Sequence, residues 1–133
     1  MLGKVDRRVV DTPNAPRASG PYSQAIISGN LVFTAGQLPL DPQTGKLAAE
    51  DFEGQLWQVM HNLAAVLQVA GTDLKNVIKF TVFLSDLTNF SVLNKVFNEY
   101  FPKSAPARSV FQASRLPLDV LIEIEAIAGI GGE

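Results

Sequence analysis

The feature that most restricts the fold is an alternation of nine residues near the C-terminus, Val120-Leu121-Ile122-Glu123-Ile124-Glu125-Ala126-Ile127-Ala128. Side chains along a strand repeat with period two. Val120, Ile122, Ile124, Ala126 and Ala128 therefore share one face, and Leu121, Glu123, Glu125 and Ile127 share the other. The two carboxylates stand about 7 Å apart, two residues of strand rise. A second extended segment precedes this one, Ala107-Arg108-Ser109-Val110-Phe111, entered just after Pro106. A guanidinium or a carboxylate on a short apolar strand is costly unless it has a partner. The residues alone leave open the simplest solution, an ion pair between Arg108 and Glu123 or Glu125 across neighbouring strands. They leave equally open that Arg108 awaits an external anion.

The rest of the chain supplies a sheet and two helices. Lys4 to Val10 reads as a half-exposed first strand, and Asp11 to Gly20, with Pro13, Pro16 and Gly20, as a loop long enough to be functional. Ala25–Ser28 and Leu31–Ala35 flank Gly29-Asn30, a two-residue hairpin signal. Apolar residues at Phe52, Leu56, Val59, Met60, Leu63, Val66, Leu67 and Ala70 follow helical spacing, and Gly71 ends that helix. Val77–Leu84 is apolar at nearly every position, which predicts a central strand covered on both faces. Lys79 is its exception and reads as a sheet-edge or interface residue. Phe90, Leu93, Val96, Phe97, Tyr100 and Phe101 form a second helical stripe, broken by Pro102. The order β-β-β-α-β-α-β-β predicts an α+β sandwich in one domain over residues 1–133. One mixed sheet of about six strands carries both helices on one face. Its other face must be solvated or buried in an oligomer.

Composition narrows the chemistry. The 133 residues include no cysteine, which excludes disulfides and thiolate chemistry, and a single histidine, His61, which reads as a surface residue. A zinc site is therefore not expected, and Ser109 has no second histidine to activate it as a nucleophile. Net charge is −2, with no Lys/Arg run, so nucleic-acid binding is not expected. No run approaches a membrane span and no hydrophobic leader opens the chain. A cytoplasmic protein without membrane association is the expectation.

Several stretches together resemble the signatures of the RidA (YjgF) family. They are Ser19-Gly20-Pro21-Tyr22-Ser23-Gln24-Ala25, Thr34-Ala35-Gly36-Gln37, Phe90-Ser91-Val92-Leu93-Asn94, Pro106-Ala107-Arg108-Ser109 and Ile122-Glu123-Ile124-Glu125-Ala126. The resemblance runs from about Val10 to Ala128. It implies a chorismate-mutase-like fold, a homotrimer with clefts between subunits, and no metal or cofactor. It also implies hydrolysis of 2-iminobutanoate or 2-iminopropanoate, released by pyridoxal-phosphate enzymes, to a 2-oxo acid and ammonia. Arg108 would clamp the substrate carboxylate and Glu123 would orient water and move protons. Gly36 would let the backbone approach the ligand, and Tyr22 would close the cleft from a neighbouring subunit. Ala35, Phe90, Asn94, Ser109 and Val110 would line it. Val110 stands where many deaminase members carry cysteine, and Ala35 where serine is frequent. Other family activities, a 2-oxo-acid-binding module or an endoribonuclease and translation inhibitor, are the alternatives.

Overall fold

The computed structural model describes residues 2–131. Six strands, β1 (Arg8–Val10), β2 (Ala25–Ser28), β3 (Leu31–Thr34), β4 (Val77–Leu84), β5 (Ala107–Gln112) and β6 (Ile122–Gly129), form one mixed sheet in the order β1-β2-β3-β6-β4-β5. Only β4 and β5 run parallel. The crossover between them is helix α2 (Phe90–Tyr100), and α1 (Phe52–Ala70) links β3 to β4. No helix among the described residues is long and apolar enough to cross a membrane.

Local chemistry explains the boundaries. Gly29, at φ 59°, turns the β2–β3 hairpin in a conformation that side chains rarely adopt. The Asp51 carboxylate caps α1 by accepting the Gly54 N–H at 3.1 Å. Gly71, at φ 93°, closes it with its N–H on Gln68 O. The apolar stripe of α1 lies on the sheet, so that Leu56, Val59, Met60, Leu63, Val66 and Leu67 share a core with Val32, Phe80, Val82, Ile122 and Ile124. Helix α2 joins this core through aromatic contacts, Phe97 edge-on to Phe80 at 5.2 Å between centroids.

Four expectations change. The first strand is shorter, Arg8–Val10 rather than Lys4–Val10, because β2 offers pairing partners only to those three residues. β4 is central but covered on one face only: Phe80, Val82 and Leu84 are buried under the helices, while Thr81 and Phe83 on the other side are half-buried. A register shift near its start leaves both Ile78 and Lys79 outside the core. Lys79 is thus exposed on an inner strand, not at a sheet edge. Finally, β5 and β6 are not neighbours, since β4 lies between them.

The loop before β2 is held from inside. Gln24, 2% exposed, accepts the Thr12 N–H at 2.7 Å and donates to the carbonyls of Thr12, Ala15 and Pro16 at 3.0, 3.3 and 2.9 Å. One buried amide thereby satisfies backbone groups that no strand or helix reaches. Gln24→Leu keeps the volume but strands those groups, and should lower unfolding free energy by about 2–3 kcal/mol. Denaturant unfolding checks this; a change within about 0.5 kcal/mol, typical of an inert surface position, would mean that the loop is anchored elsewhere.

Candidate active site

The candidate chemical groups fall into two clusters on opposite faces of the sheet. The first is built where β3 parts from β6. Phe33 pairs with Ile127, and the next bridge is Gln37 with Ile124, so three residues of one strand oppose two of the other. This is a bulge. The Thr34 hydroxyl stabilises it by accepting the Ala126 N–H at 2.9 Å, while the Ala35 N–H turns to Gln24 O at 2.8 Å. The extra residue carries Gly36 across the Glu123 side chain. A Cβ on residue 36 would land on Glu123 Oε2 and lie 2.8 Å from its Cδ. The bare glycine therefore makes room for a carboxylate of the same chain, where the sequence pointed to close approach of a ligand.

Glu123 is half-buried, and that burial, helped by the nearby Glu125 carboxylate, pushes its carboxyl above the ordinary value of 4.5. It lies in a cleft of about 970 Å³ with Tyr22, Ala35, Gly36 and Gln37. Tyr22 is half-exposed at the mouth; its hydroxyl accepts the Ser19 N–H at 3.2 Å and its ring lies beside Gly20. Across the cleft stands the turn Pro117–Asp119, where Leu118 and Asp119 adopt left-handed φ of 56° and 54°. For residues with a Cβ this costs about 1 kcal/mol or more each. The turn holds because Arg115 grips the Asp119 carboxylate at 2.9 and 3.3 Å, and because Asp119 N–H reaches Leu116 O and Val120 N–H reaches Pro117 O.

The second cluster surrounds Arg108. Its Nη2 donates to Asn94 Oδ1 at 2.7 Å. Its guanidinium carbon lies 5.0 Å from the Phe97 ring centre and 5.5 Å from that of Phe90. Burial lowers its pKa, yet a guanidinium keeps its charge in proteins. No carboxylate among the described residues pairs with it. Cation–π contact of this kind contributes about 0.5–2 kcal/mol and orients the group without neutralising it. Val110 shares the Arg108 face of β5 and packs on the core. Ser109 turns to the other face, level with Thr81.

The ion pair that the sequence left open does not form. On β4, Arg108 is level with Phe80 and Glu123 with Phe83. That separates them by three residues along the strand, about 10 Å, and by two strand spacings, also about 10 Å. The pleat then sends them to opposite faces: Phe80 is in the core under α2, and Phe83 is on the uncovered side. One chain thus holds a cationic cluster (Arg108, Asn94, Phe90) and an acidic cleft (Glu123, Gly36, Ala35, Tyr22), and does not bring them together.

Three residues that hold this geometry escaped the sequence reading. Besides Gln24, Gln55 accepts the Leu121 N–H at 2.8 Å and fixes the entry to β6. Asn62 donates to Leu38 O and Leu40 O at 2.9 and 3.0 Å and fixes a cleft wall. Their signal is positional: residues 55 and 62 are seven apart on the apolar face of α1, where an amide needs a buried partner.

A family model described as Endoribonuclease L-PSP matches residues 12–130. A RutC family protein of Pyrococcus horikoshii is 52% identical over 122 residues, 92% of this chain and 97% of that protein. The 2-iminobutanoate/2-iminopropanoate deaminase of Capra hircus is 42% identical over 127 residues, 96% of this chain and 93% of that protein. Among solved structures, E. coli TdcF with bound serine superposes with a TM-score of 0.88 at 40% identity, covering 93% of this chain and 99% of that one.

Two predictions follow from the Glu123 cleft. Because the folded state favours protonated Glu123, the group's contribution to stability is complete below the ordinary carboxylate value and is lost as pH rises through the raised one. Glu123→Gln should therefore unfold like the parent in acid and become the more stable protein towards neutral pH; a parent–variant difference that stays flat in denaturant titrations across this window would contradict the burial assignment. Gly36→Ala should leave the melting curve nearly unchanged yet displace the Glu123 side chain, seen as a moved carboxylate in a crystal structure. An undisturbed Glu123 would show that the glycine has another purpose.

Proposed function

The chain belongs to the RidA family, the one whose model is described as Endoribonuclease L-PSP, and on that premise we propose that it hydrolyses 2-imino acids to 2-oxo acids and ammonia at a site shared between two copies of itself. The observation that carries this reading is the placement of Arg108 and Glu123 on opposite faces of one sheet. A small imino acid needs both groups at once, and a second copy can supply the missing one. The uncovered face of the sheet offers a surface for such contact, with Val9, Phe33 and Phe111 exposed by 63%, 41% and 54%. A closed homotrimer repeats one such cleft three times, and the protein would work in the cytoplasm.

In this arrangement Arg108 of one copy binds the substrate carboxylate through two parallel hydrogen bonds, with Asn94 and the two rings fixing the fork. Glu123 of the next copy faces the C=N bond. Its raised pKa lets the neutral carboxyl give a proton to the imine nitrogen. The resulting carboxylate then takes a proton from water as the water oxygen bonds to carbon, giving a carbinolamine. Glu123 passes that proton to the amine, recovers one from the carbinol hydroxyl as the C–N bond breaks, and ends neutral. Ammonia and the 2-oxo acid leave. Tyr22 shields the site and supplies a hydroxyl, and Ala35 and Val110 leave these steps intact because none requires a side-chain hydroxyl or thiol there. Cleavage of RNA is a poorer fit, because a chain of net charge −2 with a carboxylate at the centre of its cleft repels phosphate.

A coupled assay tests the reading. Threonine dehydratase supplies 2-iminobutanoate, and its decay is followed with and without the protein. The parent should accelerate decay, Glu123→Ala should lose at least about 100-fold of the acceleration, in the range of a general acid–base group, while still binding 2-oxobutanoate, and Arg108→Ala should lose both activity and binding while remaining folded. No acceleration by the parent, with 2-oxobutanoate still bound, would leave a binding module in place of an enzyme.

A further inference from the structure

The reaction just described uses one end of the cleft. Within one chain, before a second copy closes it, the cleft measures about 970 Å³, near the upper end of the range that holds drug-sized ligands, and a three-carbon imino acid fills a small part of that. Away from Glu123 the wall carries Leu38, Leu40, Pro42, Pro117 and Leu118, with Gln43, Thr44 and Gly45 at its edge. Three carbonyls of that wall are engaged inside the protein: Leu38 O and Leu40 O by Asn62, and Pro117 O by the Val120 N–H at 3.3 Å. What remains for a ligand there is mainly apolar side-chain surface, with the exposed Gln43 and Thr44 beside it.

Leu118 forms the lip of this arm. It is 72% exposed and lies outside the core, yet it sits on a left-handed backbone at φ 56° that asparagine or glycine would accept more easily. Core packing does not account for a large apolar side chain on a strained, pinned turn at the cleft mouth; contact with a substrate held between two copies does.

We propose that this apolar arm receives the substrate side chain, and that Leu118 sets a preference for 2-imino acids with branched or long apolar side chains over the three-carbon one. The proposal rests on the reading that Glu123 marks the reacting end. Arg17, exposed on the rim, is the one charged lining residue besides Glu123, so an acidic side chain is the competing occupant.

The test uses the full-length protein and imines generated by amino-acid oxidases from alanine, leucine and glutamate, with residual imine trapped by semicarbazide. The parent should show kcat/KM at least about tenfold higher for the leucine-derived imine than for the alanine-derived one, the order expected when an apolar pocket gains methylenes. Leu118→Asn, chosen because asparagine suits the left-handed turn, should lower the leucine-derived value about five- to tenfold and move the alanine-derived value less than about twofold. Equal parent rates, a parallel loss on both imines, or a preference for the glutamate-derived imine would overturn the proposal. If no imine is turned over, the hydrolytic reading fails and the arm is judged by calorimetry: 4-methyl-2-oxopentanoate should bind more tightly than pyruvate, and Leu118→Asn should abolish that difference. Equal binding would dispose of the arm as well.

Discussion

Arg108 is held by a neutral amide and two aromatic faces, and by no acid among the described residues. That incomplete neutralisation is the constraint on which the rest depends. A half-buried guanidinium paired with a carboxylate of its own chain would have no capacity left for a ligand. The strand order prevents such pairing. With β4 inserted between β5 and β6, the pleat assigns the cation and the acid to different faces. The same topology leaves apolar side chains such as Phe33 and Phe111 on a face without a helix, so the proposed assembly covers apolar surface and completes the site in one contact.

The acid is placed with equal specificity, through backbone rather than charge. A bulge after β3, stabilised by the Thr34 hydroxyl, delivers a glycine where any side chain would displace Glu123. Around it, three buried amides, Gln24, Gln55 and Asn62, tie the loops that form the cleft walls to the rigid sheet and helix. A loop held by several hydrogen bonds to one buried side chain keeps its shape at little cost in core volume. Glu123 then titrates above its ordinary range because it is half withdrawn from water beside another carboxylate. A carboxyl shifted in this direction holds its proton more readily than an ordinary one, which suits a group proposed to give it to a substrate.

Much of this was legible in the sequence where periodicity speaks. The alternation of Val120 to Ala128 gave the correct inward and outward sets, and the stripe of α1 gave the core; of the α2 stripe Leu93, Val96 and Phe97 are buried, while Phe90 is exposed. The Gly29-Asn30 signal gave the hairpin. What periodicity cannot express is neighbourhood across the sheet. Two segments consecutive in sequence, β5 and β6, looked like partners, and only the parallel β4–β5 pairing formed through α2 separates them. The bulge was equally hidden, since Thr34-Ala35-Gly36 reads as the end of a strand whether or not it rejoins β6 at Gln37. The family resemblance pointed to Arg108 and Glu123 together; the strand order and pleat set them on opposite faces of the sheet within one chain. Gln55 and Asn62 went unread although they interrupt an apolar stripe, because their partners lie 66 and 22–24 residues away in sequence.

The central claim is that catalysis needs Arg108 from one copy and Glu123 from another. Complementation between inactive variants tests it most directly. Arg108→Ala and Glu123→Ala proteins are dissociated together, reassociated at equal amounts, and assayed for imine hydrolysis. If the site spans copies in a closed ring, random mixing rebuilds an intact pair at about one quarter of the boundaries, and about that share of parent activity returns. A mixture as inactive as its two components, with exchange of subunits verified by mass spectrometry, would contradict the account and return both residues to a single chain.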